Sequence, residues 1–328
     1  MKVNLTILLF STIITQNSIF AEQTDWNQWR GSNRDAVVTG KAWPNDLKAS
    51  HFALKWKVEM GSSYSGPIMD GNTIYVTESS GDNEVVRALD RTTGKEKWRH
   101  SWGGKMRVPF FAAKNGSWIR STPALANDKI FVAGMRDHLL CIDTKTGKRL
   151  WEINFPKELK TPVPSFGCVC SPMVDDKYVY MQAGAAFCKI EQDTGKIVWQ
   201  SMKDKGGMYG SAFSSPVFAT LRDKEQILVQ SRTELAGVDI DSGKILWRQP
   251  IKAFRGMNIL TPLPYNNGVY TSAYGGRSHF FGIKRDQQSW KSAEQWENKG
   301  QAYMGSPILF EDHFFLHLRN QRFACYNL

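Results

Sequence analysis

Cysteine, long apolar runs and helical periodicity are all scarce in this 328-residue chain, and each scarcity closes off a class of protein. The five cysteines are an odd number, and only Cys168 and Cys170 lie close together, which excludes a disulfide-dense scaffold and offers too small a set for a metal cluster. The apolar stretch from Leu5 to Ile14 is too short to span a bilayer as a permanent anchor. No ten-residue amphipathic helical pattern interrupts the chain, so a helical domain is not expected. No Ser-His-Asp set, phosphate loop or carboxylate pair stands out either. His51, His100, His138 and His279 are scattered. His313 and His317 alternate onto one strand face around Phe315 but have no nearby third ligand. No catalytic residue and no metal site is therefore assigned.

The N-terminus orders Lys2, the apolar stretch, a polar break at Gln16-Asn17-Ser18 and a small residue at Ala21. That is the layout of a signal peptide over residues 1–21, with residues 22–50 as an N-terminal arm. Ile19 is a poorer match than a small residue at its position before the cut, so the cleavage point can shift by a few residues. No cysteine follows the apolar stretch, so lipid attachment there is not expected, and the mature protein is expected in the periplasm or outside the cell. Removing residues 1–21 takes away only Lys2, leaving 41 basic against 31 acidic side chains. A net charge near +10 favours anionic partners, although Lys and Arg are spread along the chain rather than run together. Export and the lack of a basic stripe argue against nucleic acid.

Self-similarity is the dominant signal. Four segments align without gaps on Asp/Glu-x-x-Thr/Ser-Gly-Lys-x-x-Trp: DRTTGKEKW ending at Trp98, DTKTGKRLW at Trp151, EQDTGKIVW at Trp199 and DIDSGKILW at Trp247. The tryptophans recur at 53, 48 and 48 residues. Small-residue or Ser-Pro starts at Pro67, Pro123, Pro172, Pro216, Pro262 and Pro307 precede an aliphatic and aromatic strand, with polar turns such as Asp70-Gly71-Asn72 and Asn127-Asp128 between. Each unit reads strand, turn, strand, strand, Gly turn, strand. The expected fold is all-β: over residues 51–328, a β-propeller of about six recognisable four-stranded blades, from a ring of seven or eight. Gly94, Gly147, Gly195 and Gly243 should take positive φ, and each Trp should bury its ring against the next blade. Trp56 and Trp296 are assigned the same docking role at the two ends of the series. The fifth unit replaces the Gly turn by a polar insert. The sixth ends at Leu328 before any Gly-Lys turn, so its outer strand is missing, and Leu54 to Val58 should pair with it to close the ring. Cys141 and Cys325, at equivalent repeat positions, are expected as core thiols. Cys168 and Cys170 are left open between thiols and a strained local bridge.

Ala88-Leu89-Asp90-Arg91-Thr92-Thr93-Gly94-Lys95-Glu96-Lys97-Trp98 resembles the tryptophan-docking motif of quinoprotein propellers, and the likeness runs from about Ser50 to the C-terminus. With its opening Trp26-Asn27-Gln28-Trp29-Arg30-Gly31, the chain resembles compact secreted propellers like those that bind pyrroloquinoline quinone (PQQ). Its repeats are also similar to those of the propeller subunit of the outer-membrane barrel assembly machinery. That resemblance implies one of two functions. One is a non-catalytic binding or scaffold propeller without cofactor, for an envelope or extracellular protein or an anionic polymer. The other is a small PQQ-dependent oxidoreductase, with calcium, acting on an alcohol or sugar. Such a dehydrogenase uses a general-base Asp, Glu and Asn ligands for calcium and an adjacent-cysteine disulfide, and none of these can be placed here, because Val169 separates the two cysteines. Binding is therefore preferred. The residues just before each proline start should surround the channel mouth, where a ligand or cofactor would sit: Tyr64, Trp118, Arg120, Phe166, Met208, Tyr209, Arg255, Asn258, Tyr303 and Met304. Aromatic and Arg side chains of this kind are favoured at binding hot spots.

Overall fold

A computed structural model describes residues 26–327 apart from 39, 41, 42, 211, 212, 288 and 303, with the backbone alone at Tyr209. The signal-peptide expectation for residues 1–21 lies outside the described residues, as does Tyr303. The chain folds into six antiparallel sheets in sequence order, five of four strands and the last of three. Blade 1 comprises β1 (Ile68–Asp70), β2 (Thr73–Ser80), β3 (Asn83–Asp90) and β4 (Glu96–Gly103). Blade 2 holds β5 (Ala124–Ala126), β6 (Lys129–Gly134), β7 (His138–Asp143) and β8 (Arg149–Asn154). A five-residue helix, α1 (Phe155–Leu159), leads to blade 3, with β9 (Met173–Val174), β10 (Tyr178–Ala183), β11 (Ala186–Glu191) and β12 (Ile197–Ser201). Blade 4 is β13 (Val217–Leu221), β14 (Lys224–Gln230), β15 (Glu234–Asp239) and β16 (Ile245–Pro250). Blade 5 is β17 (Leu263–Tyr265), β18 (Gly268–Ser272), β19 (Ser278–Asp286) and β20 (Ser289–Asn298), and blade 6 is β21 (Ile308–Phe310), β22 (His313–His317) and β23 (Phe323–Asn327).

The middle strands read as continuous apolar runs because both of their faces are covered. Ile130, Val132, Leu140 and Ile142 pack toward blade 1, while Phe131, Ala133, Leu139 and Cys141 pack toward blade 3. The Gly turns lock these blades together. The indole N–H of Trp98 donates to the carbonyl of Thr144 at 2.7 Å, that of Trp151 to Gln192 at 2.8 Å and that of Trp199 to Ile240 at 3.3 Å, each in the next blade. Each ring lies flat on that blade's glycine. At Gly147 (φ 70°) an added Cβ would sit 2.8 Å from the Trp98 ring, so glycine is required both by its backbone angle and by the close approach. Trp56 covers Gly94 in the same way and donates to Arg91 O at 2.8 Å.

A second linkage explains the hydroxyl before the proline. The Gly66 N–H donates to Thr122 Oγ1 (2.9 Å), Thr122 N–H to Ser171 Oγ (3.0 Å), Ser171 N–H to Ser215 Oγ (3.0 Å) and Thr261 N–H to Ser306 Oγ (3.3 Å). At these four steps the blade start thus hands its amide to the hydroxyl of the next. The arm segment packs against these inner strands. Trp26 exchanges both backbone hydrogen bonds with Met69, Asn27 O accepts from Leu125 N, and buried Arg34 donates to Pro172 O and Ser171 O. The Arg30 guanidinium reaches Pro307 O, so one short segment ties blade 6 to blades 1, 2 and 3.

Three expectations are corrected. Trp247 does not dock across a blade: its indole donates to Gln226 Oε1 within its own sheet. The longer β19–β20 hairpin occupies the place of the Gly turn and packs directly on β16, with Gln249 Nε2 donating to Ser292 O. Leu54 to Val58 forms no strand and does not pair with β23, although Trp56 still docks. Cys325 is exposed, since no further sheet covers its side of β23, whereas Cys141 is buried as expected. Cys168 and Cys170 are free, buried thiols. Trp296 holds the docking register, opposite Phe280, and stacks within 6.5 Å on Phe314 and Tyr326 of blade 6 in place of a glycine.

Replacing Trp98 by Ala should lower stability by about 3 kcal/mol, and by Phe by about 1 kcal/mol, read from urea midpoints. Two buried carboxylates also bridge blades. Glu84 accepts from Trp102 Nε1 (2.8 Å) and Met135 N (2.9 Å), and Asp137 accepts from Gly184 N (2.8 Å) while its other oxygen has no hydrogen-bond partner. Burial pushes both acids up to about 7. Because these values exceed those of the unfolded chain, the folded state holds extra protons between about pH 4 and 7, and stability falls as pH rises through that window. Asp137→Asn should remove on the order of 3 kcal/mol of this dependence, measured as unfolding free energy at pH 5 and pH 8.

Candidate functional site

Antiparallel order puts the loops between blades and the second-to-third-strand turns on one face, and the first-to-second-strand and Gly turns on the other. The Gly-turn face is built from tight turns. Its opposite carries the long loops, and their composition differs sharply from the rest. The loops between blades hold Lys105, Arg107, Lys114, Arg120, Lys157, Lys160, Lys203, Lys205, Lys252, Arg255 and Lys299 against Glu158 and Asp204, and the second-to-third-strand turns add Arg136, Arg232, Arg277, Arg319 and Arg322 with Asp82 and Asp137. The turns of the Gly face are of mixed charge: acids such as Asp90, Asp128, Asp143, Asp175, Asp176, Asp193 and Asp239 stand beside Arg91, Lys95, Lys145, Lys148, Lys177, Lys196, Arg222 and Lys244. The loops between blades thus carry a one-sided excess of cations, whereas the opposite face mixes both signs.

The aromatic residues of the loop face form two groups. In the first, Tyr64 and Trp118 lie with ring centroids 5.4 Å apart, and the Arg120 guanidinium stands 5.2 Å over the Tyr64 ring. The Tyr64 hydroxyl donates to Asn115 O at 2.7 Å and Arg120 Nη2 to Gly116 O at 3.0 Å, which fixes both side chains. Arg120 Nε is buried with no hydrogen-bond partner, and burial lowers the guanidinium below its ordinary value. The second group crosses the face. A 3-10 turn, Phe110–Asn115, in the loop before blade 2 presents Phe110, 90% exposed, and Phe111. Phe111 packs on Phe166 (6.0 Å), and Phe166 on Phe213 (6.0 Å). The Arg255 guanidinium, in the loop before blade 5, lies 5.4 Å from the Phe111 ring and 5.1 Å from Phe254. Phe254 packs edge-on against Tyr274 (5.7 Å), and Arg319 caps Tyr274 at 4.6 Å. Arg255 itself is held at φ 53°, which costs a non-glycine residue about 1 kcal/mol. Arginine over aromatic faces is a cation–π arrangement that strengthens as water is excluded.

Of the residues expected at the mouth, Tyr64, Trp118 and Arg120 come together, and Phe166 and Arg255 are joined through Phe111. Met208 and Met304 are exposed on the same loops without a ring partner among the described contacts, and the backbone of Tyr209 lies in the 3-10 turn Gly207–Tyr209. Asn258 is not a surface residue. It is buried and donates to Ser231 O and Arg232 O at 3.0 Å, fastening a turn of blade 4. Sequence reasoning missed Phe110, Phe111, Phe213, Phe254 and Tyr274. The paired Phe110-Phe111 after a proline in a loop was the available signal.

PQQ with calcium fits these residues poorly. Cys168 and Cys170 are separate thiols that burial pushes upward, and the acids of this face, Asp82, Asp137, Glu158 and Asp204, lie on separate loops and turns where a calcium ion needs several converging oxygen ligands.

The sequence profile of the outer membrane protein assembly factor BamB matches residues 81–328. BamB of Yersinia pestis is 21% identical over 275 residues, 79% of this chain and 66% of its own length. The 1-butanol dehydrogenase (cytochrome c) of Thauera butanivorans is 28% identical over 153 residues, 45% of this chain, which spans only 21% of the dehydrogenase. Among solved structures, BamB from Moraxella catarrhalis superposes with a TM-score of 0.58 at 15% identity, over 84% of this chain and 76% of that one. Quinohemoprotein alcohol dehydrogenase from Comamonas testosteroni superposes with a TM-score of 0.51 at 16% identity, over 94% of this chain and 50% of the enzyme. At such identities the structural likenesses speak for the fold alone. The profile match over residues 81–328, on a chain of Gly-Lys-x-x-Trp blades, assigns the protein to the PQQ-repeat β-propeller family of the outer membrane protein assembly factor BamB.

Proposed function

We propose that this chain is a non-catalytic binding or scaffold propeller of the cell envelope or its surroundings, and that its loop face takes an anionic partner, an acidic protein surface or an anionic polymer. The observation that carries the reading is the alignment of Arg120, Arg255 and Arg319 on aromatic rings across a face whose loops carry a one-sided excess of cations. Field from the whole face would draw an anion in, and desolvated arginine over an aromatic ring would hold it. The opposite face, where acids and cations are mixed, offers no comparable excess, so such a partner has one preferred side of approach. Export through residues 1–21 belongs to the same proposal. Among the described residues no helix is long and apolar enough to cross a membrane. The PQQ-enzyme alternative draws on the flat rings and arginines of the same face and on the dehydrogenase relatives, but the cysteine and carboxylate set speaks against it.

Poly-L-glutamate titrated into the purified full chain should bind with a salt-dependent affinity, followed by fluorescence anisotropy. The double variant Arg120→Ala/Arg255→Ala should weaken binding at least roughly tenfold, which corresponds to about 1.4 kcal/mol, and Phe111→Ala should weaken it several-fold by releasing Arg255. Capture from an envelope extract should fall in parallel. Affinity that ignores both variants would remove the loop face as the site. A saturable, calcium-dependent response of tryptophan fluorescence to PQQ would instead establish the cofactor alternative.

A further inference from the structure

Blade 5 departs from the repeat at one point on its outer hairpin, and the departure has the chemistry of a metal site. In blade 1 the β3–β4 pairing sets Ala88 opposite Trp98 and Leu89 opposite Glu96, leaving Lys97 as an extra, bulged residue. The bulge brings two side chains three apart on the outer strand, Glu96 and Arg99, to one spot, where they meet Arg87 of the adjoining strand. In regular alternation residues three apart would point to opposite faces. Glu96 there bonds Arg99 at 2.6 Å and Arg87 at 2.7 Å, and Glu78, 3.5 Å from Arg87, supplies the second negative charge. Blade 2 repeats the geometry with Arg149 and Glu152.

Blade 5 has the same bulge. Phe280 faces Trp296 and Phe281 faces Glu294, with Gln295 extra, while His279 faces Glu297. The three converging positions that hold Arg87, Glu96 and Arg99 in blade 1 therefore hold His279, Glu294 and Glu297. No cation occupies any of the three positions unless His279 is protonated. One ligand atom from each lies within 4.8 Å of the others. His279 Nδ1 sits 2.7 Å from Glu294 Oε2, its ring stacks on Phe281 at 14°, and its side chain is 16% exposed, so the imidazole is held in place. Arg277 Nη1 bonds Glu297 at 2.7 Å from a more exposed position.

The geometry points to a binding site for one divalent first-row transition ion, zinc foremost, held by His279, Glu294 and Glu297 on the outer hairpin of blade 5. One imidazole nitrogen and two carboxylate oxygens are the donors such ions take, leaving a fourth position to water, and small side-chain rotations bring the donors to the separations a tetrahedral ion needs. The imidazole argues against calcium, which takes oxygen alone. The ion would clip β20 to β19 in the blade that lacks the Gly turn and receives no docked tryptophan. Binding requires Glu297 to exchange Arg277 for the metal.

The test is calorimetric titration of zinc chloride into chelator-stripped, untagged full-length protein, with cobalt(II) absorption as a second reading of the same site. One ion per chain is expected, with affinity at least roughly tenfold weaker in Glu294→Gln and in Glu297→Gln and tighter in Arg277→Gln, which frees Glu297. Far-UV circular dichroism of each variant separates lost ligands from lost fold, and Glu294→Asp serves should Glu294→Gln misfold. Absence of saturable binding, equal affinity in the correctly folded variants, or displacement of zinc by equimolar calcium would overturn the proposal.

Discussion

A four-stranded antiparallel sheet of this size has two apolar faces and no means of covering either by itself. Everything in the structure follows from that constraint. Neighbouring blades supply the cover, and their relative position is set by two small contacts: an indole laid on a glycine of the next Gly turn, and an amide handed to the next blade's serine or threonine. The first fixes the outer rim and the second the inner one. Where a blade abandons the pattern, something else takes over. Trp247 turns inward to Gln226 because blade 5 has no glycine to receive it, and strand-to-strand packing between β16 and β20 holds the interface instead.

The same constraint separates the two faces by chemistry. Turns that dock tryptophan must be short, and Asp or Glu at their first position accepts the turn amides, as Asp90 does from Thr92 and Thr93. The acids of that face are therefore placed for reasons of folding, beside the lysines Lys95, Lys148, Lys196 and Lys244 of the same turns. The loops on the other face have no docking to perform and are free in length and composition. That freedom is where the lysines, arginines and exposed rings collect, which is the usual division of labour between a rigid scaffold and the loops it carries.

Much of the fold could be read from the chain because the repeat reports on itself. Four aligned Gly-Lys-x-x-Trp segments and six proline starts place the strands, the positive-φ glycines and the three-stranded last sheet. Errors arose where a residue's partner lies outside its own repeat. Cys325 sits at the same repeat position as buried Cys141, but nothing packs over its side of β23. Asn258 precedes a proline start as Tyr64 does, yet it points back into a turn of blade 4. Phe111 and Arg255 are 144 positions apart, and no local pattern announces that they meet.

The sequence by itself determined the all-β class, the blade length, the docking rings and the excess of positive charge, because each of these is written in residues a few positions apart. The packing of the Trp26 to Asp35 segment onto the inner strands, the placing of the cation-rich loops together on one face and the meeting of His279 with Glu294 and Glu297 were decided by the tertiary structure. The first two depend on how blades are arranged about a common axis. The third depends on a single bulged residue, Gln295, that shifts the alternation of a strand by one. Long-range arrangement and a one-residue change of phase leave no periodic trace in a chain, and only folding makes them visible.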